Sequence, residues 1–313
     1  MKPLPLIIDT DVALGAWHDG RPRDIDDGFA IIEALNADAI DLLGVTTVYG
    51  NAPHTEVYRI AKEIVALKQA NLRIAPGATS NAPSDTLSTN TSPANSPIDL
   101  PAVDFIAEKL REQLVTIAAI GPLTNIAALV QRYPELVERI EQLIIVAGRT
   151  PGNSFYIGGI GPVADFNFDN DVQAMQTLMN AKLPMVLAGF ELTSQVVITE
   201  QDLGSIRAQN TPLASYFYDN SIDWVRHWTD TFAVDEGFHP WDSAAISYLL
   251  HPEYFTAEQR IARIGELDGK PTLNCHPMNQ GNSEKDGLTV TYLTGFTPGS
   301  KTRFVADVVT SLY

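Results

Sequence analysis

Leu4-Pro5-Leu6-Ile7-Ile8-Asp9-Thr10-Asp11, followed by Asp24-Ile25-Asp26-Asp27-Gly28-Phe29-Ala30-Ile31-Ile32, is the stretch on which the fold turns. The first run is apolar, too short for a helix, and closes on two carboxylates, so it reads as a buried strand at 4–8. The second opens on acids and then places Phe29, Ile31, Ile32 and Leu35 at helical spacing, which predicts a helix over Asp26–Asn36. The same alternation continues outward. Strands are expected at Ile40–Thr47, 114–120, 142–147 and 183–188, with helices at His54–Leu67 and 123–139. Short apolar runs alternating with amphipathic stretches give βαβα, so the fold class is α/β with a mostly parallel central sheet flanked by helices, an open Rossmann-like core.

Farther along the pattern loosens. Residues 77–101 are rich in Pro, Ser, Thr and Asn without an apolar period and read as a long loop. A glycine-rich irregular stretch follows at 149–162, then an aromatic-rich helix at 214–230. Alternation at 287–293 and 302–308 suggests late strands. With neither an internal repeat nor a linker, residues 1–313 are expected to form one domain with elaborated loops.

The net charge of −17 argues against nucleic acid or an anionic membrane as partner, since phosphate surfaces require a Lys/Arg face. A single cysteine, Cys275, excludes an intramolecular disulfide framework and a cysteine-based zinc cluster. There is no apolar run of about 18 residues to span a bilayer. The opening Met1-Lys2-Pro3-Leu4-Pro5 turns acidic too soon for a signal peptide, so a cytoplasmic location is expected.

The two carboxylates at the end of the first strand stand where open α/β sheets bind ligands. Helix capping by Asp24, with Asp26 and Asp27 favoured by the helix dipole, accounts for one or two of the acids. It does not account for four or five converging on one sheet edge. Like charges so close repel unless a cation neutralises them, and oxygen-only ligands favour Ca²⁺ or Mg²⁺ over zinc. A strand-end Asp-x-Asp also suggests the haloacid-dehalogenase phosphatases, but those carry Thr where this chain has Ala13.

On these residues and four further segments, the chain resembles the inosine-uridine preferring nucleoside hydrolase family. The segments are Gly44-Val45-Thr46-Thr47-Val48-Tyr49-Gly50-Asn51, Gly121-Pro122-Leu123-Thr124-Asn125-Ile126-Ala127, Pro162-Val163-Ala164-Asp165-Phe166-Asn167 and Pro240-Trp241-Asp242. The resemblance implies Ca²⁺-dependent hydrolysis of the N-glycosidic bond of ribonucleosides. It assigns Asp11, Asp27 and Asp242 as carboxylate ligands of Ca²⁺, with the backbone carbonyl of Thr124. It places Asp26, Asn51, Asp165 and Asn167 on the ribose hydroxyls and Asp9 behind the ligands as support. Asp11 is also the expected base, taking a proton from water whose pKa the cation lowers. A small-molecule nucleoside is then the expected partner, and a homodimer or homotetramer the expected assembly. Two other readings share the site: a non-catalytic calcium- and ribose-binding protein, and hydrolysis of another N-ribosyl compound such as a nicotinamide riboside.

The chain departs from that pattern twice. Residues 12–25 insert a loop between Asp11 and Asp26 where the family has only a tight turn; it either bulges away or covers the sugar, bringing Trp17, His18, Arg21 and Arg23 to the substrate. Trp241 replaces the His that broad-specificity members carry before the last Asp, which suggests stacking on a purine. Trp224 and Trp228 share a helical face, with Trp228 the candidate for the base pocket. The acid that protonates the departing base is unassigned, with His18 and His239 as candidates.

Overall fold

The computed structural model describes residues 2–81, 100–233, 236–278 and 287–313; most of the long loop expected at 77–101 lies outside the described residues. In chain order the first elements are β1 (Leu4–Thr10), β2 (Trp17–His18), β3 (Arg21–Pro22), α1 (Asp26–Asn36), β4 (Ile40–Thr47), α2 (His54–Leu67) and β5 (Arg73–Pro76). The middle holds α3 (Pro101–Glu112), β6 (Val115–Ala119), α4 (Thr124–Arg132), β7 (Ile140–Ile145), α5 (Phe166–Asn170), α6 (Val172–Asn180), β8 (Met185–Ala188) and α7 (Phe190–Thr193). Then come β9 (Ile198–Thr199), α8 (Glu200–Arg207), α9 (Pro212–Phe232), β10 (Gly237–Phe238) and α10 (Ser243–Leu250). The chain closes with β11 (Phe255–Leu267), β12 (Lys270–Pro277), β13 (Leu288–Phe296) and α11 (Ser300–Thr310).

Nine strands form one sheet in the order β12-β11-β13-β8-β7-β6-β1-β4-β5. The run from β13 to β5 is parallel, and β11 lies antiparallel to both its neighbours. The sheet is therefore mostly parallel, as the alternation of apolar runs predicts. Because successive side chains of a strand point to opposite faces, Ile8 joins one core and Ile7 the other. The Ile8 side is covered by α1, α2, α8, α9, α10 and α11, and the Ile7 side by α3, α4 and α6. Burial on both faces explains why these strands read as apolar runs rather than as alternation.

Strand β1 is the pivot. From it the chain moves one way to β4 and β5, then returns to β6 on the other side. Its carboxyl end is a topological switch point, where a crevice opens between diverging connections. Asp9 sits there, beside Thr46 on β4 and Ala119 on β6.

Four sequence expectations need correction. Residues 302–308 are helical within α11, because Phe304, Val308, Val309 and Leu312 recur three and four apart and face the core. The helix expected at 123–139 stops at Arg132, and Pro134 opens a separate 3₁₀ segment, Pro134–Arg139. Asp24 does not cap α1: the N-cap is Ile25, and Asp24 Oδ1 accepts the Ile25 N–H at 2.8 Å instead. The inserted stretch 12–25 is not a plain loop. Val12, Ala13, Leu14 and Ala16 enter the core, and β2 and β3 pair as a hairpin turning at Asp19-Gly20. Both turn residues have positive φ, 55° and 74°, the pairing that a tight two-residue turn requires.

One buried contact joins α1 and α10, the two helices that carry Asp26, Asp27 and Asp242. The Ser247 hydroxyl of α10 donates to Glu33 of α1, and burial pushes the Glu33 carboxyl up to about 8. The folded chain thus keeps a proton that the unfolded chain releases above its ordinary value of 4.5, so this group erodes stability as pH climbs from about 4.5 towards 8. Glu33→Gln keeps the acceptor and removes the titration. Its melting temperature is expected to gain on the wild type between pH 5 and pH 8, and a constant difference across that range would show that Glu33 does not titrate there.

Candidate active site

Asp11 lies one residue past β1 and is fully buried. Its Oδ2 accepts the Asn51 backbone N–H at 2.7 Å, while Oδ1 has no hydrogen-bond partner. Two glycines make room for it. A Cβ on Gly50 would stand 2.0 Å from Oδ2, and one on Gly121 would stand 2.9 Å from the Asp11 backbone nitrogen. Asp9, two residues back, accepts from Thr46 Oγ1 at 2.5 Å and from Asn125 Nδ2 at 2.8 Å. Burial pushes its carboxyl up to about 7 against those two donors.

Asp26 and Asp27 open α1, and Asp242 stands at the N-terminus of α10. One carboxylate oxygen from each lies within 4.8 Å of the others. Asp26 Oδ2 accepts the Asp242 backbone N–H at 2.9 Å, and the Thr10 hydroxyl donates to Asp27 Oδ1. Asp27 Oδ2 is buried without a partner. Burial and then the neighbouring Asp26 charge hold Asp27 up at about 7, and Asp242 and Asp11 are raised well above the usual carboxylate range. Orphaned buried oxygens and mutual repulsion are the conditions that a hard divalent cation relieves, and the donors are all oxygen. The residues therefore fit such an ion.

The expected ligand set and the observed grouping overlap without coinciding. Asp27 and Asp242 stand together, joined by Asp26 rather than by Asp11 in the tight trio, although Asp11 couples electrostatically to both. Thr124 is buried at the start of α4, with its hydroxyl donating to Asp171 Oδ2 at 2.6 Å.

In front of the acids opens a cavity of about 500 Å³, within the range of small-molecule sites. Asp26, Asp242, Asn51, Asp165 and Asn167 all line it. Asn167 spends both amide hydrogens on the carbonyls of Ile120 (3.0 Å) and Val146 (3.1 Å), which leaves its side-chain oxygen as an acceptor. Asp165 accepts the Gly148 N–H at 3.0 Å, and burial pushes it up to about 7. Much of the remaining wall is aromatic, with Phe155, Phe190, Trp224, Trp228, Phe232 and Trp241. The Trp228 and Trp241 rings meet edge to face at 5.2 Å.

The two candidate acids are placed elsewhere. His18 Nε2 lies 2.7 Å from Glu56, and His239 is buried, with Nδ1 donating to the Val196 carbonyl at 2.7 Å; neither lines the cavity. The hairpin reaches the wall through Arg21, Pro22 and Arg23 instead, and Trp17 at its start is exposed. Sequence reading also missed His227, Phe155 and Phe190 on the wall and Asn125 behind the floor. His227 falls on the helical stripe of Trp224 and Trp228, a signal that was present.

Gly50→Ala forces its new methyl group into Asp11. The expected result is a loss of about 1–3 kcal/mol of stability, read by denaturant unfolding, as for other overpacked sites. A variant of unchanged stability would mean that Asp11 moves aside freely.

The model of the inosine-uridine preferring nucleoside hydrolase family matches residues 6–306. A pyrimidine-specific ribonucleoside hydrolase, RihA, from Shewanella woodyi is 30% identical over 284 residues, covering 86% of each chain. A probable uridine nucleosidase from Oryza sativa subsp. japonica is 27% identical over 282 residues, covering 83% of this chain and 80% of its own. Among solved structures, the plant nucleoside hydrolase PpNRh1 superposes with a TM-score of 0.79 at 23% identity, covering 99% of both chains. A purine-preferring ribonucleoside hydrolase from Gardnerella vaginalis gives 0.79 at 20% identity, covering 98% of both. These structures share the fold. With a family match running nearly end to end and the acidic strand end it demands in place, this chain belongs to the inosine-uridine preferring nucleoside hydrolase family.

Proposed function

We propose that this chain hydrolyses the N-glycosidic bond of ribonucleosides with Ca²⁺ as its resident ion, releasing free base and ribose. One observation carries the reading: buried carboxylates with unpartnered oxygens back a cavity whose opposite wall is aromatic. The acids suit a sugar hydroxyl face, and the rings suit a flat base.

Asp11, Asp26, Asp27 and Asp242, with the Thr124 carbonyl, are the residues that would hold the ion, which when bound supplies positive charge that orients the ribose hydroxyls and acidifies water. Asp26, Asn51, Asp165 and Asn167 hold the sugar by accepting from its hydroxyls. Breaking the C1′–N bond builds positive charge on C1′ and the ring oxygen, and the carboxylates around the sugar stabilise it. Asp11 takes the proton of the attacking water, its orientation fixed by the Asn51 N–H and by the close approach of Gly50. Asp9 stands behind as a fixed support.

The breadth of the wall, with three indoles at one end, supports a lean towards purines. The Shewanella relative, a pyrimidine-specific enzyme, supports pyrimidines instead. A panel of ribonucleosides separates the two by kcat/KM. The panel should release reducing sugar in the presence of Ca²⁺. Asp11→Asn is expected to cut kcat at least ~100-fold, in line with loss of a general base. Sugar release that survives both this substitution and a chelator would refute the carboxylate mechanism. Independently of turnover, Ca²⁺ is expected to raise the melting temperature and EDTA to lower it, since an ion bound only by the folded state adds to its stability. An unchanged melting temperature would remove Ca²⁺ from this reading.

A further inference from the structure

A ribosyl bond to a ring nitrogen breaks more readily when the departing base receives a proton, and the acid must reach the base itself. The cavity restricts what can supply it. Arg21 and Arg23 line the wall, but a guanidinium does not give up its proton near neutral pH. Indole N–H groups and the Thr231 hydroxyl hold theirs as firmly. Asp24 reaches the wall too, yet its carboxyl is hydrogen-bonded to Asp26 on the sugar side. His227 is the histidine on the wall among the described residues, and imidazole is the side chain that holds and releases a proton near neutrality.

Its position suits the task. His227 lies on α9 one turn beyond Trp224, with ring centroids 5.9 Å apart, and directly precedes Trp228. The five wall residues of this helix, Trp224, His227, Trp228, Thr231 and Phe232, recur three and four apart, so the imidazole shares the face of the two indoles. A base seated against these rings lies beside it. The ring is half-buried, and neither nitrogen has a hydrogen-bond partner among the described residues, in contrast to His18 and His239.

We propose that His227 is the proton donor to the leaving base, an assignment that rests on the ribonucleoside hydrolase reading above. As the C1′–N bond breaks, its electron pair passes to the base, and the imidazolium N–H of His227 delivers a proton to a ring nitrogen or carbonyl oxygen of that base. Water adds its oxygen to C1′ and its proton goes to Asp11. Afterwards His227 takes up a proton from solvent and Asp11 releases one, so the enzyme returns to its starting state. Arg21, brought against α9 by β3, places positive charge near the same end, which favours negative charge growing on the base, whereas Arg23 is paired with Asp19 at 2.7 Å.

The test compares two leaving groups in wild type, His227→Ala and His227→Gln, with melting temperatures recorded for all three. One substrate is the best ribonucleoside from the panel, and the other is 4-nitrophenyl riboside, whose phenolate leaves without protonation. The expected outcome is a fall in kcat of about 10²–10⁴-fold on the nucleoside in both variants, with KM little changed and nitrophenyl riboside turnover retained. Equal losses on both substrates would assign His227 a packing role and overturn the proposal, as would nucleoside turnover at the wild-type rate. A wild-type protein that releases ribose from neither substrate would instead refute hydrolysis itself, and the proton donor with it.

Discussion

Repulsion among buried carboxylates is the constraint on which the rest of this structure depends. Asp11, Asp26, Asp27 and Asp242 come from three separate segments, yet all are buried within one small volume. Each is raised above its ordinary value, and burial is the largest cause in every case. Such a cluster is costly to assemble. The surrounding parts make sense as supports against it. Thr10, Asn51 and the Asp242 N–H each donate to one carboxylate, and the N-termini of α1 and α10 bring favourable dipoles to the same place.

Those two helices are linked a second time, deeper in the core. The Ser247–Glu33 contact lies two turns below Asp26 and one turn below Asp242, so the helices are held at both levels. A rigid pair of helices fixes the distance between the acids more firmly than loops would. The acidic end of the cavity is thus set by secondary structure. The other end is assembled from the hairpin, α9, the irregular stretch before α5 and the turn before α10.

This division explains what could be read from the sequence and what could not. The strand ending Ile8-Asp9-Thr10-Asp11 and the helix opening Asp26-Asp27 were legible because both depend on local pattern: an apolar run, then acids at fixed spacing. The central parallel strands were legible for the same reason. The β11–β12 hairpin was not, because Glu258-Gln259-Arg260 in β11 is polar in both phases and shows no apolar alternation. In α11, Phe304 and Val308 fit either period over so short a window, and the buried Val309 beside Val308 is what breaks the alternation. The hairpin at Asp19-Gly20 carries a turn signal, but its two strands are only two residues each, too short to show an alternation. His227 shares the legible stripe of Trp224 and Trp228, but that this stripe lines a cavity is decided by packing from distant segments.

The stripe on α9 has a consequence of its own for how this protein can change over generations. Trp224, His227, Trp228 and Thr231 face the cavity only because the helix reaches them in phase from its start at Pro212. Each residue turns the helix by about 100°, so one codon gained or lost upstream would swing all four away together. Replacing any one of them leaves the other three in place. Substitution along α9 can therefore reshape the cavity wall one side chain at a time, whereas a change of helix length before Trp224 alters the whole stripe at once.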